Sequence, residues 1–329
     1  MNGTDSQRPL KRLFLIINPI SGTGSKDGMD RKLTEAFAVH GFDTEVAFTT
    51  CAGDATRLAC RAVDDGVDCV VACGGDGTIN ETARAMIGTG VPMGIIPAGS
   101  GNGLARHIGI PIDPILAADV IGERNVKDCD YGTMNGNPFF CTFGVGFDAA
   151  VSDRFAASGK RGKMTYIKSA FQEFVNYESE PYTITVDDEK ITDEAFVVTV
   201  CNASQYGNNA YIAPEASITD GLLDIMIIKK MPKMATFLLG VDLLSGTLER
   251  HRGVEHLKVK KAVIERRSAG PAHLDGEPFR VGERLEIECH PGRLKLFIAS
   301  GKEPFKPIIT PIEAMMQDIG LTFRHLFKP

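Results

Sequence analysis

Gly74-Gly75-Asp76-Gly77-Thr78 sets one carboxylate among three glycines, directly behind the apolar run Cys69–Cys73 and directly ahead of a helical stretch beginning near Ile79. Glycine lets main-chain N–H groups approach an anion closely, and a helix N-terminus adds partial positive charge, so Gly74, Gly75, Gly77 and Thr78 read as a phosphate-binding turn. A carboxylate there repels phosphate unless it holds a divalent cation, orients water or accepts a proton. Asp76 is therefore a metal-linked group or a general base, against the plainer alternative of an Asp that caps the helix. Two further loops share the pattern. Asn18-Pro19-Ile20-Ser21-Gly22-Thr23-Gly24-Ser25-Lys26 follows an apolar strand but does not match GxxxxGK[ST], so it is no ordinary P-loop. Asn18 can hydrogen-bond a nucleotide there, with Ser21 and Gly22 supplying donors. Pro97-Ala98-Gly99-Ser100-Gly101-Asn102 sets Ser100 and Asn102, both natural N-cap residues, ahead of a short helix around Gly103–Ile108. Three such loops at one sheet edge make a triphosphate cradle.

The elements that must position these loops follow from apolar periodicity. Leu13–Ile17, Thr44–Phe48, Cys69–Cys73 and Met93–Ile96 are short apolar runs, separated by helically spaced stretches such as Asp30–His40 and Asp54–Asp64. That βαβαβα order predicts a parallel sheet with ligands at the carboxyl ends of its strands. Beyond about Asp130 the rhythm shortens. Asn135-Gly136 signals a hairpin, and Tyr182–Val186, Ala195–Cys201, Leu222–Ile228, Leu285–Cys289 and Leu294–Ile298 read as strands. Helical stretches near Met164–Tyr177 and Lys233–Leu244 interrupt them. Thr310–Phe327 carries Ile312, Met315, Met316, Ile319, Phe323, Leu326 and Phe327 near one helix face. The expected plan is an α/β nucleotide-binding domain over residues 10–130, with 303–329 packing back on it, and a mainly β, sandwich-like domain over 131–302.

Composition bounds the function. Apolar residues at 43% and charged residues at 24% of 329 suit a soluble globular protein. A net charge of −6 argues against broad nucleic-acid binding, which favours a basic face. Eight scattered cysteines with no CxxC pair or zinc spacing predict free thiols in a reducing cytosol. The polar start MNGTDSQRPLKR shows no targeting signal, and no apolar run approaches the roughly 18 residues that span a bilayer, so a cytoplasmic protein with only peripheral membrane contact is expected.

Together Asn18-Pro19…Ser21-Gly22, Gly74–Thr78 with Asn80-Glu81 behind it, and the run from Pro97 to Ala105 resemble the diacylglycerol kinase and sphingosine kinase family of lipid kinases. The resemblance covers most of the chain. It implies an NAD kinase/phosphofructokinase-like α/β domain followed by a β-rich lipid-binding domain, with ATP and Mg²⁺ as cofactors and a lipid at a membrane surface as acceptor. It leaves room for a homodimer. Carried over by position, Asn18, Thr50, Gly75, Gly77 and Ser100 look like nucleotide contacts, and Arg161 in Lys160-Arg161-Gly162-Lys163 like a phosphate-contacting cation. Gly53-Asp54-Ala55 looks more like bacterial diacylglycerol kinases, whereas Ser100-Gly101-Asn102 is closer to the sphingosine kinase version. Asp148, in Gly144-Val145-Gly146-Phe147-Asp148, resembles a residue near the lipid head group that accepts hydrogen bonds from a hydroxyl or ammonium. Asp220, Leu223 and Asp224, in Asp220-Gly221-Leu222-Leu223-Asp224, look like the segment that holds a structural divalent cation through oxygens. Leu274-Asp275-Gly276-Glu277 resembles the family's Asp-Gly-Glu motif, in which Asp275 would deprotonate the acceptor hydroxyl and Glu277 organise metal or water. Asp76 competes with Asp275 for the role of base. NAD kinase shares the Gly-Gly-Asp-Gly-Thr loop but is disfavoured by the other two loops. A sensor without turnover is disfavoured by the presence of Asp76, Asp275 and Glu277.

Overall fold

A computed structural model of the chain describes residues 11–22, 26–157, 173–174, 177–301 and 307–308. Two compact units emerge. Among the described residues, the first comprises those up to Gly99 together with Ile110–Lys127 and Leu294–Gly301, and the second those of Ser100–Gly109 and Asp128–Arg293.

The first unit alternates strand and helix: β1 (Arg12–Ile17), α1 (Met29–Val39), β2 (Asp43–Phe48), α2 (Asp54–Asp64), β3 (Cys69–Gly74), α3 (Asp76–Met86) and β4 (Met93–Pro97). A five-residue helix, α4 (Gly103–His107), belongs to the second unit, and α5 (Pro114–Gly122) returns to the first. The strands run parallel in the order β2-β1-β3-β4, with Leu13 opposite Cys69 and Cys73 opposite Ile96. Leu13–Ile17, all of β3 and all of β4 are buried, which is why these strands read as unbroken apolar runs rather than alternating ones.

The second unit is mainly antiparallel. Its elements are β5 (Val126–Met134), β6 (Asn137–Phe139), β7 (Thr142–Gly146), α6 (Phe147–Ala157), β8 (Glu180–Val186), β9 (Glu189–Cys201), β10 (Leu223–Lys229), α7 (Lys233–Ser245), β11 (Val254–Val259), β12 (Lys261–Arg266), β13 (Gly270–Leu274), β14 (Glu277–Val281) and β15 (Arg284–Phe297). Asn135 and Gly136, at φ 47 and 78, turn β5 into β6 with Met134 opposite Asn137, as the Asn-Gly signal predicts. The two strands expected at Leu285–Cys289 and Leu294–Ile298 are one long strand, β15. Its last residues enter the first unit, where Leu296 lies parallel beside Met93 of β4. The buried core of the second unit gathers inward residues of β7, β8, β9, β10 and β12, among them Phe143, Ile184, Val198, Ile225 and Ile264. The helix expected at Thr310–Phe327, the return of 303–329 and most of Met164–Tyr177 lie outside the described residues.

Candidate active site

In the first unit β1, β3 and β4 end side by side, Ile17 opposite Cys73 and Gly74 opposite Pro97, so the loops that follow them meet. Asn18 Nδ2 donates to Thr78 Oγ1 at 2.8 Å, while its Oδ1 accepts from the Ile20 N–H at 3.1 Å. The Ala98 N–H donates to the Gly74 carbonyl at 2.7 Å. Gly22 has φ 69, and a Cβ there would lie 2.3 Å from the Ala98 carbonyl oxygen; a Cβ on Gly75 would lie 3.2 Å from Gly99 Cα. The loops therefore touch backbone to backbone, as a cradle of main-chain N–H groups requires. Lys26 folds into the same place, its Nζ donating to the carbonyls of Asn18 at 2.9 Å and Ser21 at 2.6 Å and to Ser21 Oγ. Burial lowers its pKa. Asp76 is half-buried and is the first residue inside α3. The N-cap is Gly75, in extended conformation and with no side-chain cap bond, so Asp76 does not occupy the capping position. Gly77 and Thr78 lie in the same first turn.

Thr50 sits just ahead of α2, where its N–H and hydroxyl donate to Asp54 Oδ2 at 2.8 and 2.5 Å. These bonds, with Arg57 on Oδ1, hold the Asp54 carboxyl well below the usual carboxylate range. The N-terminus of α2 is completed by α3: Glu81 accepts from the Gly53 N–H at 2.8 Å and the Ala55 N–H at 3.1 Å. The third loop is divided, 97–99 falling in the first unit and 100–102 in the second. Ser100 is exposed, while Asn102 is buried in the left-handed region at φ 54 and is the N-cap of α4, without a side-chain cap bond.

In the second unit Asp275 and Gly276, at φ 52 and 83, form the two-residue turn between β13 and β14, with Glu277 opening β14 on the exposed side. The Asp275 N–H donates to the Thr142 carbonyl at 2.7 Å. Its carboxylate accepts three backbone N–H groups, from Phe140 at 2.9 Å, Cys141 at 2.6 Å and Thr142 at 2.9 Å. Burial outweighs these donors and pushes the Asp275 carboxyl up to about 6. Three donors occupy three of about four lone-pair sites, which leaves room for one more proton donor.

Asp148 lies buried in the first turn of α6. Its Oδ1 accepts from the Ala149 N–H at 2.7 Å, and its Oδ2 from Thr199 Oγ1 at 2.8 Å, Tyr206 Oη at 2.8 Å and His273 Nε2 at 3.1 Å. The Gly276 N–H donates to His273 Nδ1 at 3.3 Å, which places the imidazole proton on Nε2, facing Asp148. A Cβ on Gly144 would lie 2.3 Å from both Asp148 Oδ2 and His273 Nε2. Asp148, expected to meet a substrate hydroxyl or ammonium, is thus engaged by four protein donors, three of them on Oδ2 and one on Oδ1.

The expected cation segment is held by ion pairs and strand pairing. Asp220 Oδ2 pairs with Lys258 Nζ at 3.1 Å, and Asp224 Oδ1 with His256 Nε2 at 2.6 Å and Lys258 Nζ at 3.3 Å. Leu223 lies opposite Val259 in the β10–β11 ladder. A lysine ammonium thus occupies the position between the carboxylates, and among the described residues no group of three or more His, Cys, Asp or Glu is arranged to hold a metal ion. Arg161 lies outside the described residues. Sequence reasoning misses Thr199, Tyr206 and His273. His273 carries a signal, two residues before Asp275 and so on the same face of an extended segment, whereas Tyr206 carries none.

Residues 12–134 match the model of the diacylglycerol kinase catalytic domain, and residues 141–298 that of the YegS C-terminal NAD kinase beta sandwich-like domain. The chain is 28% identical to a diacylglycerol kinase of Bacillus subtilis over 82% of its own length and 90% of that protein's. It is 31% identical to a "Probable lipid kinase YegS-like" of Chromohalobacter salexigens over 79% and 86%. A solved structure of a "putative diacylglycerol kinase" from Bacillus anthracis superposes with a TM-score of 0.78 at 26% identity, covering 91% of this chain and 99% of that one. With the phosphate-type loops of one unit and the Asp-Gly-Glu turn of the other, these matches place the chain in the diacylglycerol kinase-like family of lipid kinases, phosphotransferases that use ATP.

Proposed function

We propose that the chain transfers the γ-phosphate of ATP to the hydroxyl of a neutral glycerolipid of the diacylglycerol type, and not to a sphingoid base. The carrying observation is Asp148, the one carboxylate expected to meet an ammonium, whose oxygens are taken by Ala149, Thr199, Tyr206 and His273. A cationic head group would have to displace one of these donors or make do with the single remaining site on Oδ1, and a poorly paired buried ammonium is costly. Asp275 acts as general base: its carboxyl near 6 is ionised at neutral pH yet more basic than an ordinary aspartate, and it keeps one lone-pair site for the lipid hydroxyl. Main-chain N–H groups around Gly22, Gly75 and Gly77 hold the phosphates, with Asn18 and Thr50 fixing the loops that present them. Magnesium favours hard oxygens; the Asp76 carboxylate would supply one, with the triphosphate and water supplying the rest, and Glu277 would order metal or water. Bound there, the ion neutralises charge on the transferring phosphoryl group. The acceptor lives in a bilayer, so turnover takes place at a membrane surface.

Labelled ATP offered with diacylglycerol, sphingosine, ceramide and NAD tests this reading. Product with diacylglycerol and none with sphingosine is expected. Faster phosphorylation of sphingosine than of diacylglycerol would sink the head-group assignment, and product with NAD alone would sink the lipid acceptor altogether.

A further inference from the structure

Asp148 is the middle of a longer connection, all of it inside the second unit. The turn at 205–210 grips Gly101. The Asn208 N–H donates to the Gly101 carbonyl at 3.1 Å, Arg106 Nε donates to the same oxygen at 3.2 Å, and Arg106 reaches Asn209 Oδ1 at 3.1 Å. Gly207, at φ 114, approaches so closely that a Cβ would lie 2.9 Å from the Gly101 carbonyl oxygen. The next residue back, Tyr206, turns its hydroxyl onto Asp148 Oδ2. From the other side His273 donates to that same oxygen, and its second ring nitrogen accepts from Gly276, Asp275's neighbour in the β13–β14 turn.

We propose that Tyr206 and His273 are positioning residues that tie the turn carrying Asp275 to the Ser100–Gly109 segment through the carboxylate of Asp148. The proposal rests on reading Asp275 as the base. Burying a tyrosine, a threonine, a histidine and a carboxylate together is costly compared with an apolar core, and a fully satisfied network of this kind fixes one arrangement of its members. The neighbourhood excludes alternatives: Gly144 leaves no room for any side chain between Asp148 and His273, and burial beside Asp148 keeps the Tyr206 hydroxyl protonated and therefore donating. A base misplaced by a fraction of an ångström still binds substrate but transfers the proton poorly.

Steady-state kinetics of the full chain with ATP and diacylglycerol in mixed micelles test this, with Asp275→Asn, Tyr206→Phe, His273→Leu and His273→Gln. Tyr206→Phe removes the hydroxyl at nearly constant volume, and Gln can present an N–H near the position of Nε2. Tyr206→Phe and His273→Leu are expected to lower kcat by roughly tenfold or more with both KM values within about twofold of wild type, and His273→Gln to recover most of the loss. Wild-type kcat in Tyr206→Phe, or His273→Gln no better than His273→Leu, would overturn the proposal. If His273→Leu does not fold, the Tyr206→Phe result decides alone. Retained turnover in Asp275→Asn would instead remove the base assignment, a failure separate from that of the tie.

Discussion

At the scale of single residues, the proposed chemistry turns on how Asp275 is held. Three N–H groups from 140–142 favour its ionised form while burial disfavours it, and burial wins, leaving the carboxyl near 6. Because the raised value belongs to the folded state, Asp275 contributes stability that is present below the ordinary aspartate range and is lost as pH rises through about 6. Activity runs the other way, since the base must be ionised. The kcat/KM profile for the lipid is therefore expected to rise with pH through an acid limb near 6, and a profile flat from pH 5 to 8 would exclude Asp275 as the titrating base. The two aspartates that compete for this role from sequence separate in structure: Asp76 stands in the first turn of a helix at the phosphate loops, and Asp275 in a nest of N–H groups at a hairpin. Both are legible because a glycine follows each. The partners of Asp148 are not, since Thr199 and Tyr206 lie 51 and 58 residues away and no local pattern announces them.

At the scale of elements, the loops after β1, β3 and β4 were readable because fully buried parallel strands leave unbroken apolar runs and glycine clusters mark where they stop. α5 was harder to read. Its start signal is present, Asp113 capping the N–H groups of Ile115 and Leu116 with Pro114 in the first turn, but PILAADVIG is apolar apart from Asp119 and shows no helical stripe. Nor does any local signal show how α2 is capped. Gly53 offers no side chain, and the carboxylate of Glu81 on α3 serves instead. Glu81→Ala should cost about 1 kcal/mol, the usual loss of a helix cap, partly relieved by water at this half-exposed end. The same substitution frees the turn that carries Thr50 and Asp54, so KM for ATP should rise while kcat changes less. A thermal melt unchanged from wild type together with an unchanged KM would show that α2 needs no cap from α3.

At the scale of the whole molecule, the change of rhythm near residue 130 puts 131–302 in a second domain with 303–329 expected to return to the first, whereas the first unit also takes in a stretch just ahead of that tail. Leu294–Gly301 belongs to the first unit, where Leu296 lies beside Met93 and Asn125 bonds Ile298 in both directions, at 2.9 and 3.2 Å. Local periodicity cannot reveal this, because the pairing joins residues about two hundred positions apart in sequence, and only loop closure during folding brings them together. The segment is more than an addition to the edge. Leu294, Leu296 and Phe297 are buried to 1%, 1% and 0% exposure. Burying three such side chains is worth roughly 5 to 9 kcal/mol, comparable with the whole stability margin of a domain at about 5 to 15 kcal/mol. Without them β4 also presents an unpaired edge, which invites association with other chains. A fragment ending at Lys127 holds every strand that precedes the boundary yet lacks this segment, and it is expected to aggregate or to show no cooperative urea transition by circular dichroism. The full chain is expected to unfold cooperatively under the same conditions. A monomeric fragment with a sharp transition, and with an m-value in proportion to its length, would show instead that the first unit is self-sufficient and that Leu294–Gly301 only decorates it.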